Sequence, residues 1–293
     1  MDRNNPMTPE GCVSQTYWRE RWRQQKRALF ATPGYVDPAR YWSTEKNVGL
    51  YRKSRDRPAW AEKSAAQLAA MQIPPGSRVL DIGGGAGTLA IPLAVQGCDV
   101  TVIEPSSVMQ SELAGNCPDE LSGSLTVIPK RWEEIPVQEL GEPFDAVIAS
   151  YSLTMMDIEE ALLKMQACCR GTVHLFWFLT APSWARVSRD LWPALHGAEY
   201  PGEPLADCLW QVLYEMGIYA GLAVEKKPRS CYRTIDEAVE QAFQKLNCNT
   251  PHQKEILHAY FSAALRQGRE GFFLPEPVFS AHIWWNTGNL LGK

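Results

Sequence analysis

The sequence predicts an α/β fold: a doubly wound, mostly parallel seven-stranded sheet with an N-terminal helical arm and a helical insertion before the last strand. Short apolar, β-branched runs alternate with helical segments between about residues 76 and 180, and such alternation is typical of parallel sheets. The first run passes directly into a glycine-dense turn and a helix. That arrangement is typical of the sheet edge at which a doubly wound protein binds a small molecule.

The hydrophobic pattern assigns the strands. Core strands are predicted over 79–82, 99–104, 125–128, 144–149 and 172–179. A sixth strand, irregular around Pro228, is predicted over 223–232, and a last one over 278–285.

Helical segments surround these strands. An amphipathic helix is predicted over 14–30 and a second helix over 60–71. Thr234, followed by Glu237, has the pattern of a capping box at a helix start, and a further helix is predicted over 252–267. We therefore expect three parts: an N-terminal helical arm or lid over 1–75, a cofactor-binding core over 76–180, and a helical cap over 181–293 that also carries the last strands.

The glycine turn carries the strongest chemical signal. Asp81 lies near the end of the first strand, and Gly83, Gly85 and Gly87 follow at alternate positions. Glycine tolerates positive φ and lets a ligand approach the backbone, and the following helix start offers unpaired N–H groups. The dinucleotide fingerprint requires a third glycine at position 88, which is Thr88 here.

Residues 79–87 resemble the first motif of the class I S-adenosylmethionine-dependent methyltransferases, in which an apolar strand is followed by Asp or Glu, x, Gly, x, Gly, x, Gly. The resemblance implies S-adenosyl-L-methionine as cofactor and S-adenosyl-L-homocysteine as product. It implies that Asp81 holds the ammonium group, directly or through water, while the turn holds the methionine end through Gly83, Gly84, Gly85 and Gly87. It also implies a sheet closed by a sixth strand and an antiparallel seventh.

The second strand ends in Glu104, 21 residues beyond Gly83. An acid there can accept hydrogen bonds from both ribose hydroxyls, a demand shared by NAD and S-adenosylmethionine; the alternative is a solvated acid at a strand end. The resemblance extends through Pro105 and Ser106 to Met109, which it places against the adenine.

Two further segments are assigned by the resemblance. After the third strand, Glu133 is expected to hydrogen-bond the adenine amino group and Trp132 to stack on the ring, while Arg131 stands where many family members have Asp. The alternative is that Trp132 belongs to the core. Ser150 and Tyr151, at the end of the fourth strand, are expected where the methionine end and the substrate approach.

Methyl transfer from a sulfonium is an in-line displacement with a neutral leaving group, so the protein mainly holds the two reactants together and excludes water. No catalytic residue is therefore predicted, and Tyr151 is the candidate on the acceptor side. Asp157 is interpreted as a helix N-cap rather than a base, and His174 as a core histidine rather than a base.

Aromatic residues are frequent in the arm and are expected to close over the site, where they would also attract a sulfonium through cation–π interactions. The alternative is that they are ordinary core. The set comprises Tyr17, Trp18, Trp22, Tyr41, Trp42 and Tyr51.

The predicted function is methyl transfer to a small-molecule acceptor. The net charge is −4, yet residues 1–57 hold twelve Lys and Arg against six Asp and Glu. This basic arm leaves RNA or protein open as the acceptor, although a solvated face paired with the acidic body is the preferred interpretation. A nicotinamide-dependent oxidoreductase and a cofactor-binding protein without turnover are the remaining alternatives.

The composition and the cysteine spacing indicate where in the cell the protein is expected. The eight cysteines form no Cys-x-x-Cys pair, and no metal site is predicted. With no basic-then-apolar leader and no apolar run near the length of a membrane span, a cytoplasmic protein is expected. The oligomeric state is not predicted.

Overall fold

The computed structural model describes residues 16–55, 58–228 and 231–289. Ten strands are found there. They are β1 Arg78–Ile82, β2 Asp99–Ile103, β3 Ser124–Ile128, β4 Phe144–Ser150, β5 Cys169–Phe178, β6 Gly221–Lys226, β7 Cys231–Tyr232, β8 Arg266–Gly268, β9 Gly271–Phe273 and β10 Phe279–Asn286. Seven form one sheet in the order β3-β2-β1-β4-β5-β10-β6, in which only β10 is antiparallel to its neighbours. The predicted doubly wound fold and antiparallel seventh strand are confirmed.

Eleven α-helices accompany the strands within the described residues. They are α1 Tyr17–Ala31, α2 Pro38–Tyr41, α3 Glu45–Arg55, α4 Pro58–Met71, α5 Ala90–Val95, α6 Ser107–Asn116, α7 Ile158–Ala167, α8 Ser183–His196, α9 Ala206–Glu215, α10 Ile235–Lys245 and α11 Pro251–Ala264. One side of the sheet packs on α1, α7 and α9, and the other on α4, α5 and α6. Burial of both faces explains why the core strands are continuously apolar.

The predicted sixth strand is divided in the structure. β6 ends at Lys226, and β7 belongs to a separate three-stranded sheet in the order β7-β9-β8, which the sequence pattern did not predict. Lys227 still donates its backbone N–H to Val278. Pro228 has no N–H, so the strand cannot continue its ladder there. The chain is thereby turned away from the main sheet toward α10.

Helix α1 belongs to the body of the protein and not to a lid. Trp22 is fully buried, and its Nε1 donates a hydrogen bond to the carbonyl of Met155 at 3.0 Å. Trp18 packs against the same core, and Tyr17 is an exposed neighbour of Trp18. The expectation that Tyr17, Trp18 and Trp22 cover the site is wrong, because the apolar side of α1 is used against α7 and α9.

Four of the twelve basic residues of the arm pair with acids of the body, in line with the preferred interpretation. The ion pairs are Arg19–Glu159, Arg23–Asp157, Lys26–Glu203 and Arg52–Glu112. Of these, the Lys26–Glu203 pair is the most buried.

Two further interpretations are confirmed. Asp157 caps α7 by accepting a hydrogen bond from the backbone N–H of Glu160 at 3.1 Å. His174 is buried within β5, and its ring nitrogen lies 3.1 Å from that of His282 on β10. In the described part of the chain, none of the helices is both long and apolar enough to cross a membrane.

Candidate active site

A cavity of about 1320 Å³ opens at the carboxyl ends of β1, β2 and β4. Its walls come from the glycine turn after β1, from α2 to α4, from α8 and α10, and from Lys227 and Pro228 after β6. Pockets for one small ligand typically measure about 300–1,000 Å³. The cavity therefore has room for two small molecules side by side, in the crevice where doubly wound folds bind ligands.

The glycine turn brings the backbone to the cavity surface. Gly83 has a φ of +70°, and a Cβ built on it would lie 2.5 Å from the Cβ of Ser152. Its N–H donates to the carbonyl of Ile103 at 2.7 Å, which fixes the turn to β2. A side chain at this position would therefore collide with Ser152, just after β4, as well as strain the backbone.

Two acids lie side by side at this end of the cavity. Asp81 is buried, and burial together with the nearby Glu104 raises its pKa to about 7. Burial also raises the pKa of Glu104, although hydrogen bonds from the backbone N–H groups of Ser106 and Gly85 oppose the shift. A buried pair of acids favours a cationic or hydroxyl-bearing ligand, which would restore the ionised form.

The segment from α2 to α3 is fastened over the glycine turn. The hydroxyl of Tyr51 lies 2.8 Å from that of Thr88, the residue that interrupts the dinucleotide fingerprint. The hydroxyl of Ser106 donates to the carbonyl of Trp42 at 2.8 Å and accepts from the backbone N–H of Met109. These bonds hold two aromatic side chains against the crevice.

Most of the predicted site residues line the cavity. They are Asp81, Gly83, Gly84, Gly85, Glu104, Pro105, Met109, Ser150 and Tyr151, together with Tyr41, Trp42 and Tyr51 from the arm. Gly87 and Ser106 support the turn and α6 from behind and do not form part of the lining.

The predicted adenine contacts after β3 are corrected by the structure. Trp132 is buried in the core, where its Nε1 donates to the carbonyl of Ala161 at 3.2 Å and Lys164 lies over its ring. Arg131 pairs with Asp37 at 2.9 Å. Glu133 is exposed, and none of the three predicted residues lines the cavity. Trp132 is therefore a core residue, which was the alternative interpretation, because its large ring fills the space between β4 and α7.

Tyr151 forms a wall of the cavity between β4 and β5. Its φ of +56° is rare for a side chain of this size, and its backbone N–H is held by the carbonyl of Phe176 at 2.9 Å. Its ring lies 4.9 Å from that of Phe178, and its hydroxyl bonds to Ser280. Tyr151 thus presents its ring, rather than its hydroxyl, to the cavity.

Three lysines that the sequence analysis missed also line the cavity: Lys63 from α4, Lys227 after β6 and Lys245 at the end of α10. Lys227 lies 3.6 Å from the centroid of the Tyr151 ring and Lys63 lies 4.2 Å from it. Lys245 lies 4.2 Å from the ring of Tyr41. No local motif could reveal these lysines, because the fold brings them together from distant segments.

Comparison with known proteins agrees with this geometry. An uncharacterized protein of Haemophilus influenzae is 27% identical over 235 residues, covering 76% of this chain and 81% of that protein. A cyclopropane synthase of Mycobacterium tuberculosis has a similar fold, with a TM-score of 0.52 at 14% identity over 85% of this chain and 97% of that one. A protein of Anabaena variabilis described as a methyltransferase from an antibiotic biosynthesis pathway has a TM-score of 0.51 at 19% identity, over 75% and 96% of the two chains.

A family model described as a methyltransferase domain matches residues 51–212, which is more than half of the chain. The match spans the glycine turn, Glu104 and the first five strands of the sheet. It confirms the class I resemblance, the enzyme class and S-adenosyl-L-methionine as the cofactor of that class. The chain therefore belongs to the methyltransferase-domain family, as an S-adenosylmethionine-dependent enzyme.

Proposed function

We propose that the protein transfers a methyl group from S-adenosyl-L-methionine to a small-molecule acceptor held in the same cavity. The observation that carries this proposal is a single cavity of about 1320 Å³. The predicted cofactor residues form part of its lining, and the rest of the lining consists of residues to which no cofactor role is assigned. A volume of this size suits a cofactor and a second small molecule better than a cofactor alone.

The cofactor assignments within this proposal follow the lining. Asp81 would hold the ammonium group of the methionine end, beside the backbone of the glycine turn. Glu104 would accept hydrogen bonds from the ribose hydroxyls, and Met109 would pack on the adenine. Ser150 and Tyr151 would then border the sulfonium, since they lie at the end of β4, the strand next to β1.

Methyl transfer from a sulfonium requires little chemical participation by individual side chains. The sulfonium is already activated and leaves as neutral S-adenosyl-L-homocysteine, so rate enhancement comes mainly from orientation and exclusion of water. The closure of α2 and α3 over the turn, fastened by Tyr51 and Thr88, supplies part of that exclusion. A proton acceptor is needed only where the acceptor atom carries a proton.

Isothermal titration calorimetry tests the cofactor, and a labelled-methyl assay tests the acceptor. We expect saturable binding of S-adenosyl-L-methionine and S-adenosyl-L-homocysteine, and transfer of label to compounds of low molecular mass in a deproteinised, nuclease-treated cell extract. The absence of binding by either compound would contradict the cofactor assignment. Label found only in RNA or protein of an untreated extract would contradict the small-molecule acceptor.

The second candidate, RNA or protein as acceptor, is supported by the excess of basic residues in the arm. The pairing of four of these residues with acids of the body weakens that support. Binding to total tRNA that falls steeply with salt would favour this candidate. A cytoplasmic location completes the proposal and is supported by the scattered cysteines of the sequence.

A further inference from the structure

Two lysines converge on one aromatic ring at the acceptor side of the cavity. Lys63 and Lys227 lie 4.2 and 3.6 Å from the centroid of the Tyr151 ring and hydrogen-bond to each other. They come from α4 and from the segment after β6, and both line the cavity. Tyr151 follows β4, the neighbour of the strand that carries Asp81. The pair therefore lies beyond the end of the crevice expected to hold the sulfonium.

The charges of the cavity are divided between its two ends. The buried acids, Asp81 and Glu104, stand at the glycine turn. Four other acids line the cavity. Glu237 forms an ion pair with Arg233, and the side chains of Glu62, Glu270 and Glu276 are exposed to solvent. The acidic part of the cavity thus matches the ammonium of the cofactor, and the part lined by Lys63 and Lys227 suits a group of negative charge.

Lys227 forms no ion pair with an acid among residues 16–55, 58–228 and 231–289, although Glu225 is near enough to exert a weak attraction. A buried lysine with a purely structural role would be expected to form such an ion pair. Burial and the neighbouring Lys63 together lower the pKa of Lys227 to about 6. At neutral pH Lys227 is therefore largely uncharged beside the charged Lys63, and an anion bound between them would favour the protonated form of Lys227.

Lys245, the third lysine that lines the cavity, has a different environment from Lys63 and Lys227. Its ammonium lies 4.2 Å from the ring of Tyr41 and 4.7 Å from that of Trp184, so aromatic faces partly compensate its charge. Lys63 and Lys227 share the single ring of Tyr151, and burial and proximity to Lys63 lower the pKa of Lys227 further than burial lowers that of Lys245. An anion bound at the Lys63–Lys227 pair would therefore be stabilised by two neighbouring lysines.

We propose that the methyl acceptor is an acid whose carboxylate or phosphate group binds between Lys63 and Lys227. The inference rests on the proposed function, since it names the class of substrate for that site. The anion anchors the acceptor against the wall formed by Tyr151 and Phe178, and the remainder of the molecule extends toward the sulfonium. The cavity in this way receives a cation at one end and an anion at the other.

The test uses the full chain saturated with S-adenosyl-L-homocysteine and four variants. Lys227→Met removes the charge, Lys227→Arg keeps it, and Lys63→Met removes the second ammonium. Lys226→Met is the matched control, because Lys226 is the exposed neighbour outside the lining. The probes are benzoate, phenyl phosphate and the neutral analogue benzamide, followed through the lysine ε-¹³C resonances and by calorimetry.

We expect saturable binding of benzoate or phenyl phosphate and none of benzamide. The affinity should fall by at least about tenfold in Lys227→Met and Lys63→Met, and should persist in Lys227→Arg and Lys226→Met. Preference between the two anions distinguishes a carboxylic acid from a phosphate ester. Benzamide binding equal to that of benzoate, an unchanged affinity in Lys227→Met, or no binding of either anion would overturn the proposal.

The experiment distinguishes a failure of this inference from a failure of the proposed function. Calorimetry with S-adenosyl-L-homocysteine alone reports the cofactor end, and the anion titration can be repeated on the ligand-free protein. Loss of turnover in Lys227→Met with full anion affinity would make Lys227 a proton acceptor instead, and would overturn the assignment of the anion site.

Discussion

Glu104 Oε2 accepts a hydrogen bond from the backbone N–H of Gly85 at 3.0 Å, so the carboxylate at the end of β2 is fixed to the glycine turn at the end of β1. Its other oxygen accepts from the backbone N–H of Ser106 at 2.8 Å. These bonds set the orientation of the carboxylate before any ligand arrives. A preorganised acceptor of this kind reduces the entropy lost on binding.

Glu104→Gln should weaken binding of S-adenosyl-L-homocysteine by about 1–3 kcal/mol. The amide can offer only one acceptor oxygen, and its NH₂ group would face a backbone N–H. Calorimetry measures the effect. Glu133→Gln is the matched control, because Glu133 is exposed and outside the cavity lining. Equal losses in the two variants would contradict the ribose assignment and favour the adenine role predicted for Glu133.

Affinity for S-adenosyl-L-homocysteine should fall as the pH falls below about 7. Burial raises the pKa of Asp81 to about 7 in the ligand-free protein, and the ammonium of the ligand binds only the ionised carboxylate. Below that pH a proton must be released on binding, so the observed affinity decreases. Asp81→Asn should bind more weakly and lose most of this dependence. Calorimetry across the pH range checks both, and an identical pH profile in the variant would refute the role of Asp81.

The same shift predicts the pH dependence of stability without ligand. The unfolded chain releases the Asp81 proton near pH 4 and the folded chain near 7. The stabilising contribution of the protonated form is therefore complete below about pH 4 and is lost as the pH rises through 7. Asp81→Asn, which stays neutral, should gain on the order of 1–4 kcal/mol relative to the wild type between these limits. Urea denaturation at several pH values measures the difference, and parallel curves would contradict it.

Two tryptophans of the arm should behave differently when replaced. Trp22→Leu should lower the free energy of unfolding by about 2–4 kcal/mol, because the residue is fully buried against the sheet, and should leave cofactor affinity unchanged. Trp42→Leu should weaken S-adenosyl-L-homocysteine binding, because Trp42 lines the cavity. Chemical denaturation and calorimetry distinguish the two effects. A loss of cofactor affinity in folded Trp22→Leu would restore α1 as a lid.

Local sequence patterns were sufficient for the seven-stranded sheet, apart from the end of its sixth strand, and for the glycine turn with its two neighbouring acids. Buried parallel strands are apolar on both faces, so their positions could be predicted closely. The glycine turn could be recognised because its conformation excludes side chains, as the contact of Gly83 with Ser152 illustrates. Glu104 could be predicted because its place follows from the ends of two adjacent parallel strands.

The lysine-lined side of the cavity, which we propose holds the acceptor, could not be predicted, because long-range packing assembles it. Lys63 and Lys227 are 164 residues apart, and only the fold brings them to Tyr151. Amphipathic periodicity indicated that Trp22 is buried, but did not indicate which surface buries it. Trp132 was misassigned for a similar reason, since a tryptophan beside a predicted ligand site has the same sequence pattern whether it stacks on a ring or fills the core.

A crystal structure of the protein with S-adenosyl-L-homocysteine would show where each part of the cofactor lies. We expect the ribose hydroxyls within hydrogen-bonding distance of Glu104, the ammonium beside Asp81, and the sulfur directed toward Tyr151 and the Lys63–Lys227 pair. Density for the ligand elsewhere, or an unoccupied crevice beside ligand bound at another surface, would contradict this placement.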